Sequence, residues 1–332
     1  MQKHIYIYND GTLERKDNTV RFILKDGTKR VIPIETVETI FVFGEVSLNK
    51  RVLEFFNQKG VLLHFFNRYG FYSGSFYPRE RLNNGLILLK QVEHYLDYSK
   101  RLYLAKKFTE GGFKNIVKLL KDYLRKQKPS ESLRNTLELI KLRLEELNSA
   151  QTVEEVMQIE AKARKEYYSS WNFLINNEGF YFEKREKKPP TNPINALISF
   201  GNSLLYVAIL SQIYRTYLDP RIGYLHETNR RSFSLNLDLA EVFKPIIVDR
   251  VIFSLINKGL IKEDQHFEEE IGKTYLNQVG RKIFVKHFEE KLATTFKHNK
   301  LGKVSYKRLL RLECYKLYKH LLGEESYKPF VG

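Results

Sequence analysis

The spacing of apolar residues changes near residue 80, and this change constrains the fold of the 332-residue chain more than any other feature. Before it, short segments rich in β-branched and aromatic residues predict strands, with Asp10-Gly11 and Asp26-Gly27 as turns. The predicted strands cover residues 4–8, 20–24, 30–34, 39–43, 61–66 and 71–76. One helix is expected among them, from Asn49 to Gln58, ended by Gly60. After Pro78, apolar residues recur at helical spacing almost to the C-terminus.

This pattern predicts an α+β fold, in which a small N-terminal β-rich domain is followed by a larger all-α domain. The expected boundaries are 1–78 for the β-rich domain, 79–86 for a linker and 87–332 for the helical domain. Hydrophobic residues make up 42% of the chain, which is enough for two cores and argues against a disordered chain. Within the helical part, Gly111-Gly112 is expected to interrupt a helix.

The net charge of the chain is +17, and residues 1–80 carry only +3 of it. Two basic runs, 99–128 and 297–319, favour a polyanion as a partner, although solvated helix faces have the same composition. The single Cys314 is expected to be a buried structural thiol. No uninterrupted apolar stretch approaches the roughly 20 residues of a membrane span, and no signal-peptide core follows Met1. We therefore expect a cytoplasmic protein.

Glu160 is the first candidate functional residue. A helix is predicted from Thr152 to Asn176, because Thr152 and Glu155 have the spacing of a capping box. On that helix Glu160 falls in the middle of the apolar stripe, where an ionised carboxylate needs a compensating partner. A metal cation and a structural Arg or Lys are the two alternatives.

His226 is the second candidate. It follows a predicted helix over 193–218, which begins with Asn192 as its N-cap and is apolar on nearly every side. The turn at Asp219-Pro220 places His226 at the mouth of that helix. A metal ligand and a structural histidine are both compatible with this position.

Asp238 and Glu241 complete the set of candidates. They are three residues apart, so they share one face of a helix that starts near Ser234, and Pro245 permits a kink beyond them. Two carboxylates and an imidazole are ligands that a hard or borderline divalent cation takes. The alternative for the acidic pair is a solvated first helical turn.

Taken in order along the chain, these patches resemble the CRISPR-associated integrase, the metal-dependent DNA endonuclease that inserts new spacers during CRISPR adaptation. The matching segments are 34–40, Phe43-Gly44 with Val46, 60–66, Glu160 with Ala163-Arg164 and Tyr167, 192–197, Gly223-Tyr224-Leu225-His226, 238–245 and 305–309. Two positions depart from the family pattern. Ala161 stands where a glycine commonly follows the glutamate, and Lys244 replaces a frequent arginine. Neither departure removes a ligand.

The resemblance implies a site in which Glu160, His226 and Glu241 bind Mg²⁺ or Mn²⁺ and Asp238 is an accompanying catalytic acid. With that metal the enzyme would insert prespacer DNA into a CRISPR array, by attack of a 3′-hydroxyl on a phosphodiester. Candidate contacts to the DNA backbone are Arg230, Arg231, Lys307, Arg308 and Arg311. Two alternatives are left for the role of the basic loop after Glu183. It is either a further contact to the DNA backbone or a solvated linker.

The resemblance also implies an assembly. The β-rich domain would mediate a homodimer, and two dimers would flank a small ferredoxin-like CRISPR adaptation subunit in a hetero-hexameric complex on double-stranded DNA. Two other functions stay open. One is a metal-dependent nuclease that acts on branched or damaged DNA without integration, and the other is a non-catalytic nucleic-acid scaffold.

Overall fold

The chain forms two compact units, Met1–Asn83 and Asn84–Gly332, each with its own core. The architecture is that of a computed structural model. It describes residues 3–78, 84–126, 130–186, 189–228, 233–298 and 302–332. The candidate residues Arg230 and Arg231 and residues 79–83 of the expected linker therefore lie outside the described residues.

The first unit contains two four-stranded sheets and one helix. Its elements are β1 (Lys3–Ile7), β2 (Gly11–Lys16), β3 (Thr19–Leu24), β4 (Lys29–Ile32), β5 (Val37–Val42), β6 (Val46–Leu48), α1 (Lys50–Lys59), β7 (Leu62–Phe66) and β8 (Tyr72–Phe76). In the sheet of order β1-β5-β7-β8, the first three strands are parallel and β8 is antiparallel. In the sheet of order β4-β3-β2-β6, β6 runs parallel to β2.

Apolar side chains from both sheets and from α1 form the core of this unit, and Leu13, Ile40 and Phe56 are fully buried there. The six predicted strands and the predicted helix are confirmed. The side chain of Asn49 caps α1 by accepting a hydrogen bond from the backbone N–H of Val52. Strands β2 and β6 were not predicted, because β2 is mostly polar and β6 has only three residues.

The second unit is mainly helical. Its helices are α2 (Gly85–Leu96), α3 (Tyr98–Lys126), α4 (Glu131–Ser149), α5 (Val153–Ser169), α6 (Pro193–Ile213), α7 (Leu235–Phe243), α8 (Arg250–Asn257), α9 (Glu263–His266), α10 (Gln278–Ala293) and α11 (Tyr306–Leu321). Short 3₁₀ turns cover Ile34–Thr36 in the first unit and Trp171–Phe173 and Glu178–Phe180 here. The predicted fold class, a β-rich part followed by a helical one, is confirmed. Helix α2 starts inside the expected linker, at Gly85.

Two antiparallel hairpins interrupt the helical unit, although the sequence predicted it to be all-α. One pairs β9 (Phe267–Glu270) with β10 (Lys273–Leu276), and the other pairs β11 (Thr295–His298) with β12 (Gly302–Ser305). The first hairpin escaped prediction because β9 is almost entirely acidic. Its turn uses Ile271 and Gly272, both at positive φ, instead of a usual Asn-Gly or Asp-Gly pair.

Helix α3 continues through Gly111 and Gly112, where the sequence predicted a break. A Cβ atom on Gly112 would lie 2.8 Å from the carbonyl oxygen of Glu241, and one on Gly111 would lie 2.6 Å from the Cβ of Pro329. The two glycines therefore allow α7 and the C-terminal segment to lie directly against α3. Both glycines therefore serve the packing of α3 and do not end the helix.

Helix α6 is the central buried helix that the sequence predicted. Asn192 caps it by accepting from the backbone N–H of Asn195, and Pro193 occupies its first turn. The helix is long and apolar enough to cross a membrane, but 89% of its most apolar window is buried inside the protein. The helix ends at Ile213, five residues before the predicted end at Leu218.

A π-helical turn over Pro245–Asp249 joins α7 to α8, at the position where the sequence permitted a kink. Pro245 has no backbone N–H, so the regular helical ladder cannot continue past it. Near this turn the side-chain amide of Asn115 on α3 donates to the carbonyl of Val242 at 2.8 Å. This contact fixes the end of α7, which carries Asp238 and Glu241, against α3.

Candidate active site

Glu160 and Glu241 lie on different helices, α5 and α7, and Arg164 joins them. The Nε of Arg164 donates to Glu160 Oε1 at 3.0 Å, and its Nη2 donates to Glu241 Oε2 at 2.6 Å. Glu160 is partly exposed, whereas Glu241 is buried. Of the two alternatives for Glu160, the structure contains the arginine partner, and that partner also connects Glu160 to the second acid.

Lys244 gives Glu241 a second positive neighbour, because its ammonium group donates to Glu241 Oε1. Burial alone would raise the pKa of Glu241. The charges of Lys244 and Arg164, followed by His226, reverse this and hold that pKa far below its usual value. Glu241 is therefore ionised at neutral pH, and the alternative of a solvated first turn is wrong for this residue.

Asp238 holds the segment that carries His226. Its carboxylate is fully buried and accepts hydrogen bonds from three successive backbone N–H groups. Tyr224 and Leu225 donate to Oδ2 at 2.5 and 3.1 Å, and His226 donates to Oδ1 at 2.9 Å. Asp238 is therefore an organising residue at the first turn of α7, and it is not solvated.

The imidazole of His226 is bound by the same carboxylate, since its Nδ1 lies 2.8 Å from Asp238 Oδ1. An ionised carboxylate only accepts, so Nδ1 carries a proton and Nε2 is the nitrogen left for another ligand. Burial would lower the pKa of His226, but the hydrogen bond and charge of Asp238, together with the charge of Glu241, raise it. His226 therefore lies in the negative field of both acids.

Two residues that the sequence did not identify anchor the other side of the His226 segment. Buried Gln91 of α2 accepts from the backbone N–H of Asp219 at 2.7 Å and donates to its carbonyl at 3.1 Å. Arg101 of α3 donates to the carbonyl of Tyr224 at 3.1 Å. No local sequence signal marks these contacts, because the partners are more than a hundred residues apart.

Close packing around position 223 explains why the Gly-Tyr-Leu-His segment begins with a glycine. Its backbone N–H donates to Ser234 Oγ at 2.8 Å, and a Cβ atom on Gly223 would lie 2.7 Å from the Cβ of Ser234. Ser234 precedes α7, so this approach brings the start of α7 against the turn before His226. A larger residue would separate the imidazole from Asp238.

Asp249, in the π-helical turn, is a further buried acid that the sequence did not single out. Its Oδ2 accepts from the hydroxyl of Tyr167 on α5 at 3.0 Å. Burial raises the pKa of Asp249 to about 7, against the opposing charge of Arg164. The protonated form of this acid is thus accessible at neutral pH.

The donor chemistry of Glu160, Glu241 and His226 fits a divalent metal, because two carboxylate oxygens and one imidazole nitrogen suit Mg²⁺ or Mn²⁺. Asp238 adds the outer carboxylate that commonly orients a ligating histidine. Over the described ranges, no group of three or more His, Cys, Asp or Glu side chains is close enough together to hold an ion. In this arrangement Arg164 and Lys244 compensate the carboxylates, and the ligand assignment stays a prediction.

The predicted DNA contacts that the structure describes lie on α11. Arg308 is exposed, while Lys307 is partly buried. Arg311 donates to Gln212 of α6 at 2.8 Å, so it also has a structural contact. Cys314 of the same helix is buried and reduced, as predicted, and burial raises the pKa of its thiol. The role of these basic residues toward DNA stays a prediction.

Solved structures share this architecture of a β-rich unit followed by a helical one. A CAS1 protein from Thermotoga maritima aligns over 99% of this chain and 100% of its own, with a TM-score of 0.87 and 46% identity. A casposase bound to integration product aligns over 99% of this chain and 93% of its own, with a TM-score of 0.85. That casposase is only 19% identical, so the likeness shows the fold alone.

The family follows from the sequence comparisons. The model of the family described as CRISPR associated protein Cas1 matches residues 5–290. A CRISPR-associated endonuclease from Thermodesulfovibrio yellowstonii is 51% identical over 100% of this chain and 99% of its own. Another from Thermotoga maritima is 49% identical over 97% of this chain and 98% of its own. The chain belongs to the CRISPR associated protein Cas1 family, which confirms the resemblance.

Proposed function

We propose that this protein is a divalent-metal-dependent DNA endonuclease and integrase of CRISPR adaptation, which inserts prespacer DNA into a CRISPR array as part of antiviral defence. Relatives that are 46–51% identical and match almost end to end are named CRISPR-associated endonucleases. Among the structural observations, the strongest support for the proposal is the bridge from Glu160 through Arg164 to Glu241. Through this bridge, two segments that match the family pattern and are distant in the sequence meet in one buried cluster of charges.

The residues of the site have separate roles in this proposal. Glu160, Glu241 and the Nε2 of His226 hold the metal, and Asp238 fixes the imidazole through Nδ1. When bound, a divalent ion stabilises the charge of the transferred phosphate and helps to activate the attacking hydroxyl or water. Arg164 and Lys244 keep Glu241 ionised and offset the negative charge of the acids. No protein nucleophile is required.

The partners belong to the same proposal. The net charge of +17 suits binding to a double-stranded prespacer and repeat, with Arg308 as an exposed candidate contact. We propose Mg²⁺ or Mn²⁺ as the ion, a homodimer through the β-rich unit, and a hetero-hexamer with the small ferredoxin-like adaptation subunit. We also propose that the protein acts in the cytoplasm, in line with the burial of α6.

Strand joining tests the function directly. A labelled prespacer duplex is incubated with supercoiled plasmid that carries a repeat, in the presence of the partner subunit and with or without Mn²⁺. The expected result is a joined product that requires metal and is lost in His226→Ala and in Glu241→Gln. Matched controls are His287→Ala and Glu154→Gln, which alter residues of the same types away from the cluster.

Each other outcome has a distinct meaning. Metal-dependent nicking without joined product would favour the nuclease that acts on branched or damaged DNA. Binding of DNA with neither reaction would favour the non-catalytic scaffold. Joined product that persists in His226→Ala would show that the ligand assignment is wrong.

A further inference from the structure

Arg185, in the loop after α5, is a partly buried cation that has no role in the site described above. Its Nη1 donates to Asn195 Oδ1 at 2.9 Å and to the carbonyl of Glu186, and its Nη2 donates to Ser199 Oγ at 3.1 Å. The hydroxyl of Tyr168 is a further neighbour. All of these groups are neutral, and burial lowers the pKa of Arg185.

Arg101 and Arg311 also bind neutral acceptors, but other arginines of the helical unit with limited exposure are compensated differently. Four of them pair directly with carboxylates: Arg143 with Glu146 and Glu166, Arg164 with Glu160 and Glu241, Arg250 with Asp122, and Arg281 with Glu268. A cation partly removed from water is costly when no carboxylate pairs with it, and none of the described residues supplies one to Arg185, so Arg185 is suited to an anion that arrives from outside. Its guanidinium is already oriented by Asn195, which is fully buried.

A polar stripe on α6 connects Arg185 to the active site. Asn195, Ser199, Asn202 and Tyr206 are spaced by four, three and four residues, so they share one face of a mainly apolar helix. Asn195 and Ser199 bind Arg185 at one end. At the other end the ring of Tyr206 lies 5.3 Å from the ammonium of Lys244.

Two buried amide oxygens along this stripe have no hydrogen-bond partner among the residues that the structure describes. They are Oδ1 of Asn202 on α6 and Oδ1 of Asn236 on α7, whose residues are 9% and 6% exposed. Asn236 belongs to the stripe because its amide nitrogen donates to the carbonyl of Tyr206 at 3.3 Å. Buried acceptors are usually satisfied, so these two indicate a polar ligand or bound water beside the cluster.

We propose that Arg185 binds a backbone phosphate of the DNA strand whose reacting phosphodiester lies at Glu160, Glu241 and His226, and that the polar stripe of α6 lines the path between the two phosphates. A guanidinium donates charge-assisted hydrogen bonds to phosphate oxygens. This inference rests on the proposed function, since it places the same DNA substrate. It assigns Arg185 to substrate binding and not to the chemical step.

Equilibrium binding without metal tests the inference apart from activity. A labelled duplex with 3′ overhangs is titrated with full-length protein in EDTA, at several salt concentrations, and fluorescence anisotropy is recorded. We expect Arg185→Gln to weaken binding about tenfold to a hundredfold. We also expect the slope of log K against log salt to decrease by about 0.9, the contribution of one phosphate contact.

Lys184→Gln is the matched control, because Lys184 is in the same loop with a side chain that is 70% exposed and 3.4 Å from Glu186. It should change both quantities much less. Arg185→Lys keeps the charge and should keep the slope while losing part of the affinity. A thermal unfolding transition shows whether Arg185→Gln is folded. If it is not folded, the loss of affinity in Arg185→Lys decides the test.

Wild-type affinity and slope in Arg185→Gln would overturn the inference, even if the wild-type protein joins strands. Competition by inorganic phosphate as strong as that by DNA would also overturn it, because the site would then hold a simple anion. If Arg185→Gln shows the expected loss but the wild-type protein neither cuts nor joins DNA with Mn²⁺, the phosphate contact stands and the proposed function is wrong.

Discussion

Asp238 illustrates how one buried carboxylate organises the candidate site. Four N–H groups converge on it: three from the backbone of residues 224–226, and one from the ring of His226. Because the acid is fully buried, these bonds replace its contacts with water. The position of the imidazole is thus determined by a residue that need not touch a metal.

Asp238→Asn should lower the pKa of His226. The substitution removes the charge that raises this pKa, while burial, which lowers it, stays. The measurement is an NMR titration of the His226 ring protons. Glu227→Gln, which alters an exposed carboxylate next to His226, is the control and should leave the titration unchanged. An unchanged pKa in Asp238→Asn would contradict the predicted charge coupling.

Asp249 makes stability depend on pH. Its folded-state pKa of about 7 lies above the ordinary value of 3.8, so the folded state binds the proton more tightly than the unfolded state. The free energy of unfolding should therefore fall as pH rises between these values, by up to about 4 kcal/mol from this residue. Asp249→Asn should remove that part of the slope in urea unfolding across the range. The same slope in both proteins would show that another group is responsible.

At the scale of the elements, the contact of α3 with α7 depends on the absence of side chains at Gly111 and Gly112. Helix propensity alone favours Ala over Gly by about 1 kcal/mol in a helix interior. At Gly112 this gain is opposed by the carbonyl of Glu241, which a Cβ would approach to 2.8 Å. The backbone of the helix that carries two candidate site residues would have to shift.

Gly112→Ala should therefore destabilise the protein by about 1–3 kcal/mol and reduce strand joining. Gly85→Ala is a matched control, since Gly85 also lies in a helix but has open space around its Cα, and it should be neutral or slightly stabilising. Thermal unfolding and the joining assay give the two readouts. Gly112→Ala with increased stability and full activity would show that α7 accommodates the methyl group.

Local signals determined which elements the sequence could predict. The caps at Thr152 and Asn192 predicted the starts of α5 and α6, because a side-chain acceptor before a helix acts within four residues. The acidic strand β9 and the glycines of α3 gave misleading signals. In both cases a distant partner, β10 or α7, overrides the local preference.

At the scale of the whole molecule, the sequence allowed the identities of the site residues to be predicted, but not their spatial arrangement. The sequence singled out Glu160, His226, Asp238 and Glu241, and the structure brings them into one region. It did not predict the bridge through Arg164 or the anchors Gln91 and Arg101. These contacts depend on which helices meet, and the periodicity of a single helix contains no such information.

The C-terminal segment also contributes to the helical unit. Buried Glu313 of α11 accepts from the hydroxyl of Tyr327 at 2.7 Å and from the backbone N–H of Phe330 at 3.0 Å. Asn115 of α3 binds the carbonyl of Phe330 as well as that of Val242. The segment therefore connects α11, α3 and the end of α7.

Tyr327→Phe should lower the free energy of unfolding by about 1–3 kcal/mol, because Glu313 loses a donor in a buried environment. Tyr315→Phe, on the exposed face of α11, should have little effect. Denaturant unfolding of both variants is the measurement. Equal stability of the two variants would show that Phe330 and Lys316 alone satisfy Glu313.

Helix α6 has a consequence for biosynthesis. The elements that pack closely on it are α7, the π-helical turn, α8, β10 and α11, and all of them follow it in the chain. This apolar helix is therefore synthesised before the elements that pack closely on it. Until those elements have been synthesised, the nascent protein contains an unburied segment with the hydropathy of a membrane span.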